Sequence, residues 1–291
     1  EYMKDFNHVE YMVLARMAAL AEIQWIDHEK KDYNGFLHRL AALTKLYRHL
    51  DYNFASHIFN ISGNIETDND NKQLNLTLST FDNAPIYYTL DGSEPGAHST
   101  PYTDVIRIEN NVDIKAVAIR DNAKSKTFQR NLNINKATFK QIRLENKPWG
   151  RYSYAGAPTL VDGQLGGDVY SSGGWIGFQK DLVATIDLEK PTEISEVNTG
   201  TFIDAGSWIF NASEYIVLVS DDNKIFRQVY QEKYTPVEEG HEAGPLYLNA
   251  RFESTQIRYI KVTVKHVQNQ PDWANGAGKP AALFVDEIPV N

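Results

Sequence analysis

One change in the spacing of apolar residues constrains this chain more than any other feature. Over the first 57 residues they recur at three- and four-residue steps. Beyond that point they recur at every second position. Phe6, Val9, Val13, Met17, Leu20 and Ala21 form one helical stripe, which Trp25 closes. Asp27 is placed to cap a restart, and Phe36, Leu37, Leu40, Leu43, Leu46 and Tyr47 form a second stripe.

The polar run at 62–71 reads as a boundary or a strand-connecting loop. After it, Leu74, Leu76 and Leu78 alternate with Asn75 and Thr77, and Ile114, Ala116 and Ala118 alternate with Lys115 and Val117. Turn residues punctuate these strands at Asp82-Asn83, Asp91-Gly92-Ser93, Asn110-Asn111 and Asp121-Asn122. From about 138 a larger strand pattern follows, with candidates at 184–188, 214–219, 225–230, 256–264 and 282–288 and a turn at Asp221-Asp222-Asn223. The expected fold is mainly β and multidomain. It has a helical piece over 1–57, an immunoglobulin/fibronectin-like β-sandwich over 58–137 and a jelly-roll β-sandwich over 138–291. At roughly 100–200 residues per domain, 291 residues suit two or three such units.

Composition removes several functions. There is no cysteine, so disulfides, thiol catalysis and thiolate metal sites are excluded. No apolar run reaches the roughly 18 residues of a membrane span. The net charge is −9 with no basic stripe, which argues against nucleic acid. The excess acid lies in the last 150 or so residues. It reads first as a solvated surface, and second as oxygen ligands for a hard cation such as calcium. His8, His28, His38, His49 and His57 lack any His-x-x-x-His spacing and read as solvated or packed. The 16 Tyr and 5 Trp suit sandwich cores or sugar-stacking surfaces. The chain opens on Glu1 with no signal-like segment, and so reads as cut or processed from something longer.

Three segments resemble known families. His8-Val9-Glu10-Tyr11-Met12-Val13-Leu14-Ala15-Arg16-Met17-Ala18-Ala19-Leu20-Ala21-Glu22-Ile23-Gln24-Trp25 resembles the last barrel helix of bacterial family 20 glycoside hydrolases, the β-N-acetylhexosaminidases, with Ala15 where that pattern has proline. Ile86-Tyr87-Tyr88-Thr89-Leu90-Asp91-Gly92-Ser93-Glu94-Pro95 resembles the fibronectin-like domain appended to chitobiases and hexosaminidases. Leu160-Val161-Asp162-Gly163, Gly174-Trp175-Ile176-Gly177-Phe178, Arg258-Tyr259-Ile260-Lys261-Val262 and Phe284-Val285-Asp286-Glu287-Ile288 together resemble the discoidin-like domain, also the fold of family 32 carbohydrate-binding modules.

The resemblance implies the C-terminal accessory part of a β-N-acetylhexosaminidase. On that reading, 1–57 are the final helices of a truncated (β/α)₈ barrel. Family 20 enzymes place an adjacent Asp-Glu pair on a barrel strand, the Glu as acid and the Asp orienting the substrate's acetamido nucleophile. The one adjacent Asp-Glu here, Asp286-Glu287, lies at the end of the discoidin-like pattern and reads as a false match, so no catalytic residue is expected. On a strand these neighbours would face opposite ways.

The same resemblance implies a structural Ca²⁺ held by Asp162 and Glu287. It also implies glycans carrying N-acetylhexosamine, the missing barrel as a partner, and a bacterial periplasmic, outer-membrane-associated or secreted location. Trp149, Tyr152 and Tyr154, in a Gly- and Pro-punctuated loop, are the candidate sugar-binding aromatics, while Trp175 and Trp208 read as framework. The stripe of the first helix, deprived of a barrel, suggests a homodimer through the N-terminal helices. The competing expectation is a structural or adhesive sandwich with no sugar site. Solvent-exposed aromatics clustered on loops discriminate the two.

Overall fold

A computed structural model describes every residue except Glu1, Tyr2, Asn69, Asn122 and Ser172. Asn122 of the expected Asp121-Asn122 turn and Asn69 of the polar run therefore lie outside the described residues. The backbone divides into two compact bodies. One comprises 1–66, 75–107 and 113–129, and the other comprises 67–74, 108–112 and 130–291. No helix among the described residues is long and apolar enough to cross a membrane.

The first body opens with α1 (Phe6–Trp25) and α2 (Tyr33–His49). Asp5 caps α1 by accepting the His8 amide at 2.8 Å. Asp27 does not start the second helix. It occupies the cap position of a short 3₁₀ turn, His28–Lys30, with no side-chain cap bond, and Asp32 occupies the cap position of α2. Only Leu40 and Thr44 of α2 are buried, and nothing in α1 is. Side-chain contacts tie α1 to later residues: Tyr11 Oη meets His57 Nε2 at 2.8 Å, and Asn53 donates to Glu10 Oε2 and to the Asn7 carbonyl, each at 2.9 Å.

Eight short strands follow: β1 (Ser62–Asp68), β2 (Gln73–Ser79), β3 (Ile86–Thr89), β4 (Thr100–Pro101), β5 (Ile106–Ile108), β6 (Val112–Arg120), β7 (Ala123–Lys124) and β8 (Phe128–Leu132). They form a sheet β1-β2-β5 and a sheet β4-β3-β6-β7, with β8 also on β6. Leu74, Leu76, Ile114, Ala116 and Ala118 are fully buried, as the period-two reading expects. The polar run proves to be a strand over Ser62–Asp68, with Gly63 and Ile65 half-buried between exposed neighbours. Its polarity hid the alternation. At the Asp91-Gly92-Ser93 turn Gly92 takes φ +76°, and Asp91 Oδ1 accepts the Ser93 amide at 3.0 Å.

The second body is built on β9 (Gln141–Leu144), β10 (Ile176–Phe178), β11 (Leu182–Ile203), β12 (Glu214–Ser220), β13 (Arg227–Lys233), β14 (Gly244–Lys265) and β15 (Leu283–Val285). The order is β10-β15-β11-β14-β12-β13, with β9 also paired to β11. The strands β11 and β14 run 22 residues each and pair antiparallel, with register breaks at Asp187/Thr192 and Ile194/Glu196. Glu189, inside the first break, takes φ +70°. These bulges let one long ribbon bend and supply both walls of a sandwich. Leu182, Ile186, Ile194, Val197, Leu248, Ala250, Ile260 and Val262, from both halves of each strand, share one core. The strand expected at 225–230 starts later, at Arg227. Asp222 Oδ1 accepts the Lys224 and Ile225 amides at 2.8 and 3.0 Å, so the hairpin turn extends through Ile225.

Arg120 ties several pieces of the first body together. It donates to both Asp82 carboxylate oxygens at 2.7 Å and to the Phe59 carbonyl at 3.0 Å. Its guanidinium lies 5.4 and 5.8 Å from the Phe59 and Phe81 ring centroids. Both members of the ion pair are mostly covered, and Arg120 holds the Asp82 carboxyl below its ordinary value. Arg120→Ala should cost about 2–4 kcal/mol, because Asp82 loses its counter-ion in a part-buried site. Arg120→Lys should recover only part of this, lacking the two-pronged geometry. Urea midpoints of the three proteins check the order.

Candidate functional site

The second body gathers three carboxylates where the chain's last strand meets an early loop. Asp162 ends a 3₁₀ turn, Ala157–Val161, and Gly163 follows in the left-handed region at φ +78°. That turn aims the Gly163 amide at Glu287 Oε1, 3.1 Å away. Asp162 accepts the Gln164 amide at 2.8 Å and its side-chain amide at 3.3 Å. Asp286 accepts the Gly166 amide at 2.8 Å and the Glu287 amide at 2.5 Å.

Asp286 and Glu287 are both fully buried, against the expectation that strand neighbours face opposite ways. The reason is that β15 ends at Val285, so alternation has lapsed before them. No ion pair seen among the described residues involves any of the three. Glu287 Oε2 is buried with no hydrogen-bond partner.

The electrostatics follow from this geometry. Burial pushes the Asp162 carboxyl up to about 7, with the Asp286 charge adding to it. Burial pushes Asp286 up to about 6. Glu287 rises well above its ordinary value through burial first, then through the charges of Asp162 and Asp286. Surplus negative charge, oxygen-only donors and one orphaned carboxylate oxygen are what a hard divalent cation takes. Among the described residues no third acidic or histidine side chain completes a ligand set with Asp162 and Glu287, so further oxygens would be backbone or amide groups.

The aromatic candidates separate by exposure. Trp175 is fully buried, as expected, and donates to the Gly167 carbonyl at 2.8 Å. Tyr152 packs on a cluster of Trp175, Phe202, Ile209 and Phe284, edge-on to Phe284 at 5.0 Å. Trp149 stands edge-on to Tyr152 at 5.1 Å and is half-buried. Tyr154 is the member of the expected trio with an open ring, 46% exposed and at φ +42°.

Trp208, read as framework from its sequence, is instead 37% exposed at φ +63°. It sits in a tight loop closed by an Asp204↔Ile209 bridge, where Asp204 Oδ1 accepts the Ser207 amide at 3.2 Å. The Lys279 ammonium lies 5.2 Å from its ring centroid. Flanking Gly206-Ser207 could have signalled an outward turn, but the apolar Ile209-Phe210 after it suggested a core strand. The Trp208 loop, through Ile209, and the Trp149–Tyr154 loop, through Tyr152, are anchored in one aromatic cluster.

Comparison with known proteins agrees with these pieces in order. Residues 66–129 match the family described as "Chitobiase/beta-hexosaminidase C-terminal domain". Residues 145–278 match the "F5/8 type C domain". The two matches follow one another along the chain. A curated β-hexosaminidase of Porphyromonas gingivalis is 26% identical over 174 residues, 58% of this chain. The chain spans only 21% of that relative's length. Among solved structures, chitosan-binding module 1 of a Paenibacillus sp. IK-5 chitosanase/glucanase shares 16% identity over 54% of this chain and 98% of its own, at a TM-score of 0.36. The Clostridium perfringens module CpGH89CBM32-5, solved with GalNAc-β-1,3-galactose, shares 14% identity over 52% and 94%, at 0.34. Neither superposes closely enough to support more than a likeness.

The raised carboxyls fix a sign for pH dependence in cation-free buffer. Unfolded, these groups titrate near the ordinary 4 or so; folded, they hold protons to about 6–7. The folded state therefore binds more protons, and stability falls as pH rises through that window. The loss between pH 5 and 8 should be on the order of 3 kcal/mol. Glu287→Gln should remove only the share that Glu287 itself contributes, because burial keeps the Asp162 and Asp286 carboxyls raised without it. Denaturation midpoints in chelator-treated buffer at the two pH values provide the check.

Proposed function

We propose that this chain is the C-terminal accessory part of a β-N-acetylhexosaminidase, itself non-catalytic, that holds N-acetylhexosamine-bearing glycan and positions a catalytic barrel. The observation that carries the glycan reading is the exposed Trp208, fixed in a left-handed loop conformation beside Lys279. A flat ring faces the apolar side of a sugar, and an ammonium or carboxylate beside it grips hydroxyls. Tyr154 supplies a second open ring, and Trp149 and Tyr152 secure its loop. The two domain matches and the hexosaminidase match support the parent enzyme.

The helices support the barrel. Phe6, Met17, Leu20, Ile23 and Trp25 of α1 are 75, 58, 55, 57 and 90% exposed. An apolar face of that size is the mark of an interface. The catalytic barrel is the proposed occupant, and a second copy of α1 is the alternative for the isolated chain. A Ca²⁺ held by Asp162 and Glu287 belongs to the same proposal. It would neutralise the buried charge and lock the Gly163 turn to the chain's end. A bacterial periplasmic or secreted setting goes with the parent enzyme.

Three outcomes test this. Calorimetric titration with chitotriose should give binding that Trp208→Ala weakens by about tenfold or more, while the fold is kept. Equal affinity in the two proteins would overturn the sugar site and favour a purely structural module. Added Ca²⁺ should raise the thermal midpoint by mass action, more at pH 8 than at pH 5, and Asp162→Asn should abolish the rise. The chain alone should release no chromophore from an aryl N-acetylglucosaminide.

A further inference from the structure

Away from the loop end and the carboxylate cluster, the outer face of the second body's sheet holds a groove of about 750 Å³. Its floor is three adjacent strands, β9, β11 and β14. Thr185 is in register with Arg143 on one side and Lys261 on the other. Asp187 is in register with Gln141 and Tyr259. These residues face outward because their neighbours Ala184, Ile186, Ile260 and Val262 fill the core, with Ile142 and Leu144 packed against it.

The charges in this groove are paired with one exception. Lys261 meets Glu145 at 3.1 Å. Arg258 binds both oxygens of Asp187 at 2.8 Å and holds that carboxyl below its ordinary value. Arg143 is exposed and shows no ion pair or side-chain hydrogen bond among the described residues. A free guanidinium thus stands in a groove whose other polar groups are two hydroxyls (Thr185, Tyr259), two amides (Gln141, Asn223), the Lys261 ammonium and the two ion-paired carboxylates of Glu145 and Asp187.

We propose that this groove is a second carbohydrate-binding site, selective for a sugar that carries a carboxylate, with Arg143 as the anion-binding fork. A guanidinium matches a carboxylate in a two-pronged hydrogen-bonded pair. Thr185, Asn223 and the accepting oxygens of Glu145 and Asp187 suit sugar hydroxyls. The groove is separate from the Trp208 loop, so the two sites can fail independently.

Amide shifts in ¹⁵N-labelled chain, titrated with a hyaluronan hexasaccharide and with neutral chitohexaose, test the proposal. The hyaluronan fragment should move the Arg143, Thr185 and Lys261 amides. Arg143→Ala should weaken that binding about tenfold or more, and Arg143→Lys should restore only part of it. Trp208→Ala should leave it unchanged. Because Arg143 is exposed, neither of its replacements threatens the fold. Chitohexaose moving the same amides with equal affinity would overturn the selectivity. No movement at millimolar hyaluronan, movement confined to the Trp208 loop, or full binding by Arg143→Ala would overturn the site.

Discussion

The pairing of β11 with β14 is the constraint on which the second body depends. Their register runs from Leu182↔Val264 to Ile203↔Gly244 and is interrupted twice. A straight ribbon of that length would leave one face open along its whole extent. The bulges around Asp187–Thr192 and Ile194–Glu196 fold it so that both halves bury aliphatic side chains against each other. Everything attributed to this body is placed by that ribbon. Its near half presents Thr185, Asp187, Tyr259 and Lys261 on the outer face. Its far half ends at Ile203, one residue before the Trp208 loop. The Gly200 position of the same half receives Asp286.

Gly200 shows how closely the carboxylate cluster is tied to that register. It donates to the Glu287 carbonyl at 3.2 Å and accepts the Asp286 amide at 3.3 Å. A Cβ there would lie 2.0 Å from Asp286 Oδ1. Both Asp286 and Glu287 are thus held inward by backbone pairing rather than by a favourable environment. Their raised carboxyls are the electrostatic consequence. A fold that keeps unpaired carboxylates in its interior has to shed their charge to protons or to a cation. Asp82 and Asp187, each gripped by an arginine, face the opposite situation and stay ionised to lower pH.

The fold was largely legible because period is a backbone property. The two stripes became α1 and α2, and the leucine alternation at 74–78 became a buried strand. Boundaries failed where side-chain chemistry overrode period. Asp222 prolonged a turn through the apolar Ile225, and the polar 62–68 segment became an edge strand. The candidate site was half legible. Glu287 accepts the Gly163 amide while Asp162, the residue before it, accepts from Gln164, and the Asp162 charge helps raise the Glu287 carboxyl. The aromatics were less readable, because exposure of a ring depends on which loop faces the core, and sequence neighbours do not report that. Tyr152, in a polar loop, turned inward onto Phe284, while Trp208, beside Ile209-Phe210, turned out.

Exposure in the first body carries a related lesson. The α1 stripe was recognisable from its three- and four-residue spacing, yet Met17 and Leu20 remain open while Val9 and Val13 are only half covered. Fully burying one such side chain contributes about 1.5–3 kcal/mol, so a helix that buries none of its twenty residues gains little from its own apolar face. What holds α1 in place is polar: the Asp5 cap, the Tyr11–His57 contact, the Glu10–Asn53 bond and the Glu22–Arg39 ion pair. Surface polar contacts of this kind contribute modestly and orient more than they stabilise. The helix therefore keeps Phe6, Met17, Leu20, Ile23 and Trp25 open while its polar contacts fix its position, and its apolar residues add little to the stability of this body.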